Sequence, residues 1–161
     1  MKQAVSRVVE AARSAGVEIT PIEYEDKTHT AQAAADAIGV EVGQIVKSLI
    51  FLAGDGYLLV LVSGKNRVDV DKLARIVGQE VKRADAKTVK ELTGYTIGGV
   101  PPVGHTQKPL AVLMDRDLLD YEVVYAAAGT DRVNFAIATT DLLRITGARP
   151  CDIKDQQEQG S

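Results

Sequence analysis

The chain has no tryptophan, one cysteine and two histidines in 161 residues. Each shortage removes a class of protein. A lone cysteine, Cys151, cannot build an intramolecular disulfide framework and points to a reducing compartment. One cysteine and two histidines supply no zinc-type ligand set, so no metal is expected. With aromatics at 4%, the core is expected to be aliphatic. No apolar run approaches membrane-spanning length, and the N-terminal stretch lacks the apolar centre of a signal peptide. A cytoplasmic protein with no membrane partner is therefore expected. No glycine fingerprint of the dinucleotide or P-loop type follows a strand, which argues against a doubly wound nucleotide fold.

What remains is ordinary in bulk and uneven in detail. The length suits one domain over 1–161 with a polar tail from about 152. A net charge of −3 argues against sequence-independent coating of DNA or RNA. Residues 65–90, however, carry eight cations against four carboxylates. Such a basic stretch on an acidic chain either docks the end of a nucleic acid or forms a solvated helix face.

Apolar spacing and punctuation predict the elements. Val5, Val8, Val9 and Ala12 lie on one helix face, followed by Gly16. Val17 to Tyr24 reads as extended. Thr30 caps a helix over Ala31 to Ile38, stopped by Gly39. A short helix is expected over Gly43 to Lys47, with a strand from Ser48 to Ala53. Gly54-Asp55-Gly56 turns this strand into a second, Tyr57 to Val62. Asp69 and Asp85 cap helices ending at Gly78 and Gly94. A loop over 94–109 precedes strands at Leu110–Met114, Val123–Ala127 and Val133–Ala138, and a last helix covers Asp141–Thr146. Interleaved helices and hairpins predict an α+β fold, a mixed and largely antiparallel sheet with helices around it.

Two features do not fit a bland core. Lys47 interrupts the apolar run from Ile45 to Leu52. Either its stem packs while the ammonium reaches water, or the ammonium holds a phosphate or carboxylate as a point charge. The stretch from Tyr95 to His105 contains no carboxylate and no fixed cation. It is either a structural turn, or a wall of main-chain N–H groups in which Gly98 and Gly99 admit a ligand and Pro101 and Pro102 fix the backbone. Thr28, His29 and Thr30 stand at a helix N-terminus, where anions bind. His105 is a lone histidine. The Ser63–Arg67 loop either grips phosphate oxygens or is a solvated turn. Cys151 has no histidine near it in sequence.

Taken in order, the blocks Thr28–Ala34, Gly43–Phe51, Gly98–His105, Ala128-Gly129 and Asp141–Leu143 resemble the YbaK/EbsC family. These are stand-alone relatives of the editing domain inserted in bacterial prolyl-tRNA synthetase. The resemblance spans about Val17 to Ala148 and is nearest the ProX-type members. It implies the fold of that domain, a partial barrel within the α+β class, with no cofactor. It also implies hydrolysis of the ester joining a wrong small amino acid to tRNA, typically tRNA for proline. The implied partners are the mischarged acceptor end and a prolyl-tRNA synthetase.

On this resemblance Lys47 contacts the terminal phosphates or ribose. The Gly98, Gly99 and Pro102 loop holds the aminoacyl carbonyl, and a hydroxyl of the terminal adenosine helps activate water. Thr28, His29, Thr30, Ser48, Ile97, Val100, Pro101, His105, Gly129 and Asn134 fall around the substrate, and Lys65 and Arg67 on the acceptor end. Pocket size would select the amino acid, as a second sieve does. Two positions depart from the family. Ala126-Ala127-Ala128 replaces a stretch where some relatives carry a histidine, and Asn134 stands where others carry an acid. The rival expectation is a non-catalytic module that senses a tRNA end or a small metabolite.

Overall fold

The structure, a computed structural model, describes residues 3–25 and 30–156. The strand that organises it is β3, Gly56–Ser63, in which every residue after Gly56 is buried. Its side chains alternate between two cores, as the strand period of two requires. Tyr57, Leu59 and Leu61 face the larger core with Val5, Val8, Ile50, Val124 and Phe135. Leu58, Val60 and Val62 face the other with Leu73, Val81, Leu113 and Ile153. The continuous apolar run is therefore that of a central strand covered on both sides.

Around β3 lies a five-stranded sheet. The hairpin partner β2, Val46–Ala53, is antiparallel to it from Val46↔Ser63 to Ala53↔Gly56. β4, Lys82–Arg83, extends β2 with only two residues, Phe51↔Arg83 and Leu52↔Lys82. On the other side β5, Ala111–Asp115, runs parallel to β3, and β8, Arg149–Cys151, runs parallel to β5. A second, antiparallel sheet has the order β1 (Ile22–Glu23), β7 (Val133–Ala138), β6 (Val123–Ala127). An isolated parallel bridge, Ile45 to Tyr125, links the two sheets. The expected α+β class holds, with two sheets in place of one.

The helices start where their caps were read. Thr30, Asp69 and Asp85 accept backbone N–H bonds at the heads of α2 (Ala31–Ile38), α3 (Val70–Val77) and α4 (Ala86–Thr93). α1 spans Gln3–Ser14, and α5, Thr139–Thr146, follows β7 directly.

Two expectations fail. The helix over Gly43 to Lys47 is a 3-10 turn, Val42–Gln44, and β2 already begins at Val46. The Gly64 N–H donates to the Ile45 carbonyl at 2.7 Å, so pairing with the end of β3 draws this stretch into the sheet. A 3-10 turn over Arg116–Asp120 carries the chain from β5 in one sheet to β6 in the other. The tail is not free from residue 152. Ile153 is fully buried in the second core, the Asp69 N–H donates to its carbonyl, and the Asp155 N–H donates to the Arg67 carbonyl. One apolar side chain outweighs the polar residues around it.

The stretch 94–110 contains no helix or strand, yet it is tied down along its length. The Tyr95 hydroxyl donates to the Gly104 carbonyl at 2.9 Å, and the Arg7 guanidinium lies 4.6 Å from the Tyr95 ring centre. His105 Nε2 meets the Pro101 carbonyl at 2.6 Å, and its Nδ1 faces the Tyr57 hydroxyl at 2.9 Å. Burial holds the His105 ring below the usual histidine range, against the smaller opposing effect of the Pro101 carbonyl. Gly99 sits against the β6–β7 turn, where an added Cβ would lie 2.8 Å from Thr130 Cα and 3.0 Å from the Gly129 carbonyl carbon. No flexible side chain is there to yield.

Two outcomes follow from this packing. Gly99→Ala is expected to lose about 1–3 kcal/mol of stability through overpacking against backbone, read as a lower urea midpoint at unchanged slope. His105 has a folded pKa below its unfolded one, so its contribution is complete above the unfolded value and is lost as pH falls towards the folded one. Melting temperature should therefore drop on acidification from neutral pH before the carboxylates titrate, and His105→Gln should flatten that part of the curve.

Candidate functional site

A cavity of about 400 Å³ opens beside the first half of β2. Five groups of residues line it. Thr30, Ala31 and Ala34 come from the head of α2, and Ile45 to Ile50 from β2 and its approach. Arg83 and Val89 come from β4 and α4, Ile97, Gly98 and Val100 from the loop, and Ala127 and Asn134 from the second sheet. The volume exists because three of these contacts are alanines. It exists on this side because β4 pairs only with Phe51 and Leu52, which leaves Val46–Leu49 with no strand opposite β3.

Among the described residues no carboxylate lines the cavity, and two cations do, Lys47 and Arg83. Lys47 is a strand residue registered with Val62, and its Nζ donates to the Asn66 carbonyl. An ammonium has three donors, so two remain for a ligand. Its pKa is lowered first by burial, then by Arg83 and to a smaller extent Arg67, with Asp115 acting in the opposite sense. The charge is thus desolvated among other cations, an environment that an arriving anion would relieve.

Ser48, next to it, has a buried hydroxyl with no hydrogen-bond partner among the described residues. Among the described residues none donates to it, accepts from it or acts as a base towards it, so nothing described activates it as a nucleophile. Cys151 packs in the second core and does not line the cavity. No cluster of metal-ligating side chains occurs among the described residues.

The loop meets the cavity with Ile97, Gly98 and Val100. Ile97 is 50% exposed at the rim. Gly98 has φ +92°, a conformation that side chains disfavour, at the corner of a turn closed by the Gly99 N–H donating to the Thr96 carbonyl at 3.0 Å. This corrects the expectation for Gly99: its amide is engaged within the loop, and the flanking amides of Gly98 and Val100 make no such bond among the described residues.

The predicted residues therefore divide. Thr30, Lys47, Ser48, Ile97, Gly98, Val100 and Asn134 line one cavity. Gly99, Pro101, Pro102, His105 and Gly129 are not among its lining residues; Gly99 packs against the β6–β7 turn and His105 is held by the Pro101 carbonyl. Lys65 and Arg67 are exposed outside it, Lys65 with its Nζ 5.9 Å from the Tyr121 ring centre. Thr28 and His29 lie outside the described residues. Sequence reasoning missed Ala31, Ala34, Ile45, Val89 and Ala127 as walls. It read Arg83 only as one more cation of the basic segment, because a two-residue strand has no periodicity to read.

Comparison with known proteins gives the family. Residues 25–145 match the aminoacyl-tRNA editing domain family. YwhH of Bacillus subtilis (strain 168), an uncharacterized protein, is 34% identical over 109 residues, 67% of this chain and 69% of that one. A stretch of 82 residues, half of this chain, is 41% identical to 14% of the proline–tRNA ligase of Thermosipho melanesiensis. A crystal structure of a protein provisionally titled a trans-editing enzyme for prolyl tRNA synthetase superposes with a TM-score of 0.91 at 46% identity, covering 96% of this chain and 99% of the other. With residues 25–145, three quarters of its length, matched by the family, the chain belongs to the aminoacyl-tRNA editing domain family.

Proposed function

We propose that this protein is a trans-editing deacylase that removes a wrongly attached small amino acid from tRNA for proline. The observation that carries the reading is the pairing of a desolvated lysine with free loop amides across one small cavity that contains no carboxylate. An aminoacyl ester is already activated. Its hydrolysis needs a held carbonyl, a positioned water and a fixed acceptor end more than it needs a nucleophilic side chain.

In this reading the ester carbonyl oxygen takes the N–H groups of Gly98 and Val100. Lys47 holds the phosphate or ribose of the terminal nucleotide, and Arg83 adds a second positive charge at the same mouth. Water adds to the carbonyl carbon, the bond to the ribose oxygen breaks, and that oxygen leaves with a proton as the free hydroxyl. Ala31, Ala34 and Ala127 set the room for the side chain, with Ser48 and Asn134 as its polar walls. Lys65 and Arg67, outside the cavity, meet the approaching acceptor strand, and a prolyl-tRNA synthetase is the enzyme whose errors it would correct.

The test is deacylation of tRNA for proline charged in turn with alanine, serine, cysteine, 2-aminobutyrate and proline. Hydrolysis of one or more non-cognate esters with proline spared is expected. Binding of all five without turnover would instead mark a sensor. Lys47→Ala and Lys47→Arg should both fold by circular dichroism and both be nearly inactive, because arginine keeps the charge but replaces a compact head with a broad fork. Near wild-type turnover by Lys47→Ala would remove Lys47 from the site. Gly98→Ala keeps the N–H but disfavours φ +92°, so it should turn that donor away and cut turnover by about 10²–10³, the scale of one lost oxyanion donor. Unchanged turnover in that variant would take the loop out of the chemistry.

A further inference from the structure

Behind the cavity, Asp115 ends β5 as a carboxylate that the chemistry above leaves unused. It is 2% exposed and forms no ion pair among the described residues. A charge so placed needs hydrogen bonds to be tolerated, and it has three. Oδ2 accepts from the Ser63 N–H at 3.1 Å and from the Asn66 side-chain amide at 2.8 Å, and Oδ1 accepts from the Asp117 N–H at 3.0 Å. The same Asn66 amide group also donates to Asp117 Oδ2 at 2.8 Å, an oxygen that takes the Lys154 ammonium at 2.9 Å. Two carboxylates thus fix both hydrogens of one amide, which leaves no doubt about which end of Asn66 faces them.

The backbone carbonyl of this doubly held residue is the acceptor for Lys47. We propose that Asp115 is a positioning residue: through Asn66 it fixes the carbonyl that aims the Lys47 ammonium into the cavity. The proposal rests on the role given to Lys47 above. Charge supports the geometry. Burial, Arg83 and Arg67 all disfavour the Lys47 ammonium, and Asp115 is the carboxylate that favours it. A neutral group at 115 would therefore loosen the lysine and ease its loss of a proton.

The variant is Asp115→Asn, which keeps the volume but cannot accept from donors with both ends. Turnover on mischarged tRNA should fall by about ten- to a hundredfold, the scale of a small misplacement of a reacting group. The alkaline limb of the pH profile should move to lower pH. The deciding measurement needs no substrate. NMR of protein labelled with 13Cε-lysine, with the Lys47 signal assigned by its loss in Lys47→Arg, should show Lys47 titrating at lower pH in Asp115→Asn than in the wild type. An unchanged Lys47 titration in folded Asp115→Asn overturns the proposal. A wild-type protein that hydrolyses no ester overturns the functional reading and leaves the titration standing. Should Asp115→Asn fail to fold, Asn66→Ala at the part-exposed surface carries the turnover test, and wild-type turnover there overturns the proposal equally.

Discussion

β3 has no face towards water, and the rest of the molecule is arranged around that constraint. A strand covered on both sides needs two cores, and two cores need helices and strands from distant parts of the chain. Nothing chemical can happen at the centre of such a sheet. The open position is along β2, beyond the two residues that β4 covers. There the backbone is both rigid, because β3 pairs with all of it, and approachable, because among the described residues no strand lies on its other side. A site on such an element is held more firmly than one built from loops alone.

Much of this was legible in the sequence. The caps at Thr30, Asp69 and Asp85 and the turn at Gly54 to Gly56 are local chemistry, and local chemistry decided them. Lys47 stood out because one charge in an apolar run has few bland explanations. Other features depend on partners far away in sequence. β4 and β8 are two and three residues long and exist only because β2 and β5 offer free edges. Lys47 falls in a strand because Val46 pairs with Ser63, a contact no window of helix periodicity contains. Polar composition marked the segment after residue 152 as a tail, and the single side chain of Ile153 reverses that.

The loop illustrates the same limit inside the site. Glycines and prolines announced a fixed backbone, and the backbone is fixed, but which amides stay free is set by the turn at Thr96 to Gly99. His105, a lone histidine in the sequence, is a buckle between Pro101 and Tyr57. The Tyr57 hydroxyl itself is pushed up to about 12 by burial, so it remains a neutral partner at any ordinary pH. Three of the residues that shape the cavity are alanines, and an alanine gives no sign in a sequence of the space beside it.

The docking of Ile153 and Asp155 onto the 63–69 segment also bears on how the protein is made. The loop that presents a carbonyl to Lys47 is braced by residues synthesised some ninety positions later. A nascent chain can close the β2–β3 hairpin soon after it emerges, because that contact is local. β8 and the segment after it must leave the ribosome before the second core is sealed and the loop is stiffened. Competence therefore waits for that stretch, and a chain stalled short of it would carry every residue named above as lining the cavity without the frame that orients its lysine.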